Sequence, residues 1–180
     1  MKRFFKHLGL VNKHRWNVFK LCCKCGQFWR GLVHDLSKYS REEFWESVKY
    51  YTGTGSPLNE CRKANGYSGA WLHHKGRNKH HLEYWYDWES DVQYYMPYKY
   101  AVECICDKIA ATKCYRGKTY EPSMVLDHWS RVGSKVPTNP KMKEFFDKVF
   151  SDLIELGEKQ VVNKKYLKAT YDKVVLGKNI

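Results

Sequence analysis

His34 and Asp35 are adjacent, and Lys38 follows one helical turn after the histidine. An imidazole beside a carboxylate suits a metal ion, because both groups can reach one cation held between their segment and its neighbours. His14 lies upstream and the doublets His73-His74 and His80-His81 lie downstream, so five of the eight histidines fall between Leu32 and Leu82. Packing alone does not call for such doublets. Asp107 sits among Val102, Ile105 and Ile109, and a carboxylate buried in apolar company is costly unless it is paired or bound to a cation. Together these residues point to a centre for one or two divalent transition metal ions: Mn, Fe, Co, Ni or Zn. His73 and His74 share a turn, and spacing leaves open which of them is a ligand.

Helices must position these groups. Residues 2 to 25 carry Phe5, Leu8, Val11, Val18, Leu21 and Cys22 at near-helical spacing, with His7 and His14 on a similar face, and Gly26 ends the run. A second helix over about residues 27 to 38 would hold Phe28, Leu32, His34, Asp35 and Lys38. Ser40-Arg41-Glu42-Glu43 matches a capping box, with Phe44, Trp45 and Val48 as the buried face of the helix that follows. Residues 52 to 69 are rich in turn formers and read as a surface excursion near the site.

Trp71 to His74 suggests a short helix broken by Lys75-Gly76-Arg77-Asn78, and His80 to Trp88 a resumed, well-buried one. Pro97 suits a first helical position, and Tyr98, Ala101, Val102, Ile105, Cys106 and Ile109 form an amphipathic stripe containing Asp107. Asn139 as cap and Pro140 as first residue start a helix with Phe145, Phe146, Val149, Phe150, Leu153 and Ile154 as its core and Gly157 as its stop. A last helix, about 163 to 176, buries Leu167, Tyr171 and Val174. Strand patterns are scarce, so the expected fold is all-α: a single-domain helical bundle over 1–180, with the metal-site core at about 10–130 and helices at 139–176 packed on it.

Composition bounds the setting. A chain of 180 residues with 43% hydrophobic residues has the makings of one packed domain. No run approaches the roughly 18 apolar residues that span a bilayer, and the first residues lack a signal-peptide pattern, so a cytoplasmic location with reduced cysteines is expected. The net charge of +13 favours anionic partners, above all phosphorylated small molecules such as nucleotides, and also permits nucleic acid or acidic lipid.

The order His14, His34-Asp35, downstream histidines and Asp107 resembles the HD-domain superfamily of metal-dependent phosphohydrolases. His34-Asp35-Leu36-Ser37-Lys38, then Glu42-Glu43-Phe44 and His80-His81, are similar to its cyclic-dinucleotide phosphodiesterase branch, although the Gly-Tyr-Pro signature of that branch is absent. The resemblance implies an all-helical fold and two ions bridged by Asp35 and a hydroxide. His14, His34, Asp35 and Asp107 would serve one ion, and His74, His80 and His81 the second. Trp71-Leu72-His73-His74, the string from Asn78 to Trp85, and Met96-Pro97-Tyr98-Lys99-Tyr100 with Cys106-Asp107 also resemble an uncharacterised family shared by bacteria and their phages, over about residues 10 to 130.

On this reading Lys38 would hold a phosphate oxygen, Glu83 would orient a histidine or protonate a leaving group, and Arg77 and Asn78 would contact substrate. Two other classes stay open: a diiron oxygenase on the same scaffold, and a basic nucleic-acid or protein-binding module with a structural metal. Cys22-Cys23-Lys24-Cys25 lacks the second ligand pair a structural zinc requires. The tyrosines and tryptophan at 84–86 and 94–95 read as core or pocket wall. The basic N-terminal helix has no cleanly apolar face for a membrane.

Overall fold

The computed structural model describes residues 1–87, 89, 90, 94–133 and 135–179, and among them every regular element is helical. The helices are α1 (Lys2–Lys24), α2 (Phe28–Val33), α3 (Arg41–Lys49), α4 (Pro57–Asn65), α5 (Gly69–Arg77), α6 (Tyr98–Arg116), α7 (Ser123–Gly133), α8 (Pro140–Glu155), α9 (Glu158–Val161) and α10 (Lys164–Val174). Among the described residues no helix is long and apolar enough to cross a membrane.

α6 is the axis of the molecule. The three-and-four spacing of its apolar residues predicts one buried face, but Ala101 to Cys106 are all buried in succession, followed by Ile109 and Ala110. Six successive buried residues leave that stretch no solvent face. α1 and α2 cover one side of it; α7, α8 and α10 cover another, through a core that includes Trp129, Phe145, Phe146, Phe150 and Leu167. Tyr171 of α10 donates to the Met96 carbonyl just ahead of α6, at 2.8 Å.

α1 buries His7, Val11, His14, Val18, Leu21 and Cys22, one continuous stripe, while Phe5 is exposed. In α3 the Ser40 hydroxyl accepts from the Glu43 amide at 3.3 Å, as a capping box requires, but the Glu43 carboxylate turns inward to the histidines of α5. Consequently Glu43, Phe44 and Ser47 form the buried face of α3, and Trp45 is exposed.

Several expected boundaries are corrected. The stretch read as a long loop contains α4, whose Pro57 occupies the first turn. α5 runs through Lys75 and Gly76 to Arg77, because packing on α3 outweighs the weak helix preference of one glycine. The segment after His80 forms only a tight turn, Leu82–Trp85, instead of a helix, and Trp88, its expected end, lies outside the described residues. Pro97 is the cap of α6 rather than its first residue. α8 has the expected cap, with the Asn139 side chain accepting from the Lys141 amide, but its Ile154 is exposed.

Candidate metal centre

His34 and Asp35 were expected on a helix reaching residue 38, and the structure corrects this. α2 stops at Val33, where Arg15 of α1 removes the carbonyls a continuing helix would use. Its Nε donates to the His34 carbonyl at 2.7 Å and Nη2 to the Leu32 carbonyl at 2.9 Å. His34 is extended, and Asp35 is left-handed at φ 52°, the one non-glycine residue with positive φ among the described residues. That conformation costs about 1 kcal/mol. It aims the His34 ring and the Asp35 carboxylate at a common point before a tight turn, Leu36–Tyr39, carries the chain to Lys38.

Around that point the chain gathers two ligand groups. His14, His34, Asp35 and Asp107 form one, and Asp35, His74, His80 and His81 form the other, with ligand atoms in each group within 4.8 Å of one another. Asp35 divides itself between them. Its Oδ2 lies 3.2 Å from His34 Nε2 and 3.7 Å from His14 Nε2; its Oδ1 lies 3.3 Å from His74 Nε2 and 3.5 Å from His80 Nε2. Asp107 Oδ1 closes the first group at 3.0 Å from His14 Nε2. His81 closes the second, its ring centroid 4.2 Å from that of His80 and 4.8 Å from that of His74.

The electrostatics suit a cation. Burial opposes charge on Asp35 and Asp107, yet His34, Lys38 and His74 hold Asp35, and His14 and His34 hold Asp107, well below the usual carboxylate range. Burial also opposes charge on His14, but hydrogen bonds with Asp107 and Asp35 lift its pKa to about 9. The first group thus retains protons in the way it would retain a metal, which competes for the same lone pairs. In the second group burial pushes His80 and His81 down, His81 the further through its histidine neighbours, so both are neutral and able to ligate.

The donors fit a metal on a further count. Asp35 Oδ1, His80 Nε2 and His81 Nε2 are buried and have no hydrogen-bond partner, while Asp35 Oδ2 faces the Lys38 ammonium. Buried polar atoms in folded proteins are nearly always satisfied. Three such atoms in one ligand group fit a cation held among them.

A model of the family of unknown function DUF5662 matches residues 3–152. The chain belongs to that family. The match takes in every residue of both ligand groups of this DUF5662 protein. No curated protein and no solved structure matches it.

Of the two candidates in the first doublet, His74 enters the site. His73 Nδ1 turns away to Glu43 Oε1 at 2.7 Å. Lys38 sits at the edge with Nζ 2.5 Å from Asp35 Oδ2. Asn78 differs from the substrate contact expected of it: its amide nitrogen donates to Ser37 Oγ and to the His74 carbonyl, each at 2.8 Å, and so braces the second group. Arg77 is exposed at the end of α5, within electrostatic reach of Glu42. Glu83 lies half-buried in the turn Leu82–Trp85, where its charge acts on Cys104, and among the described residues no hydrogen bond joins it to a histidine.

Two residues that hold the site in place are not assigned to it by the sequence. Glu103, fully buried one turn before Asp107, accepts from His34 Nδ1 at 3.0 Å and from Arg30 Nε at 2.7 Å. Glu43 takes His74 Nδ1 on its other oxygen at 2.7 Å. The signal for Glu103 was the one that exposed Asp107, an acid on an apolar helix. Glu43 was hidden by its equally good reading as a cap.

Proposed function

We propose that the chain is a metal-dependent phosphohydrolase acting on a nucleotide or a related phosphoester, organised on the HD-domain pattern that its sequence resembles. The observation that carries this reading is the divided environment of Asp35, a buried carboxylate with one oxygen toward each histidine group. Divalent ions bound there supply Lewis acidity toward phosphoryl oxygens and lower the pKa of water from about 15.7 to about 7.

The chain's residues supply the rest. His14, His34, Asp35 and Asp107 would hold one ion, and Asp35, His74, His80 and His81 a second. Lys38, whose side chain is 28% exposed, is the cation of the site with access to solvent, and it is placed to hold a non-bridging phosphate oxygen. The charge of +13 draws anionic substrates toward the molecule. Burial of the histidines excludes bulk water from the ligand atoms and so strengthens their electrostatics.

The test is elemental analysis of the purified protein, followed by a screen of mono-, di- and cyclic nucleotides for phosphate or phosphoester release. Asp35→Ala should lose both metal and turnover. Full turnover in that variant rejects the reading, and oxygen consumption by iron-loaded protein in place of phosphate release would replace it with dioxygen chemistry.

A further inference from the structure

Glu103 touches both ligand groups at once. Its Oε1 lies 3.0 Å from His34 Nδ1 and 3.2 Å from His80 Nδ1, while Oε2 is taken by Arg30 through Nε and Nη2, each at 2.7 Å. His34 belongs to the first group and His80 to the second. We infer that Glu103, braced by Arg30, is a positioning residue that couples the two metal sites by fixing the tautomer and aim of one histidine in each. This rests on the metal-centre reading and extends it to how the two ions depend on one another.

The chemistry is that of an acceptor. The Arg30 guanidinium grips Oε2 with two nitrogens, the pairing of a carboxylate, and leaves Oε1 to accept from the rings. A histidine that gives its Nδ1 hydrogen to a carboxylate keeps its Nε2 lone pair for a metal, and in both rings Nε2 is the atom that faces Asp35. His34 already makes that hydrogen bond, whereas His80 Nδ1 is at contact distance but off the hydrogen-bond direction, so a small ring rotation brings it into line.

Glu103 could itself be counted as a third ligand with His34 and His80. Arg30 argues against that. The guanidinium occupies one oxygen and stacks on Tyr100 at 4.8 Å, and Oε1 is turned to the Nδ1 edge of both rings, away from the Nε2 atoms that face Asp35. The second group has a further support of its own in Glu43, which engages His74 Nδ1 at 2.7 Å and touches no member of the first. The two glutamates therefore predict different losses.

Metal-free protein titrated with Co(II), followed by visible absorption and by ion stoichiometry, separates them. Glu103→Gln is nearly isosteric but presents one acceptor and one donor, so it should weaken both ions, each by about 10–100-fold. Glu43→Gln should weaken the second ion alone, by a similar factor. Unchanged binding of both ions by Glu103→Gln, or a loss confined to one, overturns the coupling while leaving the metal centre intact. No uptake by the wild-type chain, or undiminished uptake by Asp35→Ala, ends the metal centre itself and the coupling with it.

If Glu103→Gln does not fold, imidazole 15N shifts of the zinc-loaded wild-type chain decide the matter. Hydrogen on Nδ1 of both His34 and His80 supports the coupling, and hydrogen on Nε2 of either refutes it.

Discussion

Lys38 Nζ lies 2.5 Å from Asp35 Oδ2, so the chain sets its own cation against the carboxylate shared by both histidine groups. If Lys38 serves substrate rather than metal, Lys38→Met should keep the ion content of the wild type and lose turnover. A charge-assisted hydrogen bond is worth about 1.5–3 kcal/mol, so phosphate release should fall by about 10–100-fold. Elemental analysis beside the activity assay checks this, and a variant that loses its ions would move Lys38 into the metal machinery.

Removing the ions should destabilise the fold. A ligand at about 100 times its dissociation constant adds about 2.7 kcal/mol, and in a chain of this size about 1 kcal/mol moves the melting midpoint by about 2–4 °C. A chelator should therefore lower the wild-type midpoint by at least about 5 °C and leave Asp35→Asn unmoved. Thermal scans with and without chelator give the answer, and equal responses from the two proteins would contradict it.

His7 supplies an acid-sensitive point away from the ligand groups. It is buried on α1 against the rings of Phe44 and Tyr51, and burial, aided by the Lys38 ammonium, pulls its pKa down from 6.5 to about 4. The folded state resists a proton that the unfolded chain accepts below 6.5. Stability therefore falls as the pH drops through that window and the loss is complete below about 4, amounting to about 3 kcal/mol. Denaturant midpoints measured between these limits should fall more steeply for the wild type than for His7→Leu. Parallel slopes would remove His7 from the account.

Gly31 is where α2 meets α1. A Cβ added there would stand 2.8 Å from Cys22 Cβ and 3.0 Å from Phe19 Cα, part of which is backbone that cannot yield. Gly31→Ala should cost about 1–3 kcal/mol by overpacking. Because α2 also carries Arg30 and leads into His34, the same variant should bind Co(II) more weakly. Wild-type affinity with reduced stability would show that the site tolerates a shift of α2.

The candidate ligands were legible because each broke a local rule. A carboxylate on the apolar stripe of α6 and histidine doublets beside a turn have no cheap structural explanation, and His14, His34, Asp35, His74, His80, His81 and Asp107 do converge. Glu43 and Asn78 were harder to read because each also had an adequate local role, one as a cap residue and the other as a loop residue, while its side chain works across the fold. The end of α2 was unreadable for a related reason. It is set by Arg15, nineteen residues before His34, and no window around His34 contains that guanidinium.

Residue type and spacing by themselves determined that this chain is helical, that its C-terminal core lies along the face of α8, and that it carries clustered histidines and acids of the types able to hold a cation. These follow from periodicity and from the cost of burying charge. Only the tertiary structure decided that α6 is buried on every side between Ala101 and Cys106, that His74 rather than His73 faces Asp35, and that the two oxygens of Asp35 look toward different histidines. Those facts depend on contacts between segments far apart in the chain, and side-chain direction at such contacts is fixed by packing, which local sequence does not encode.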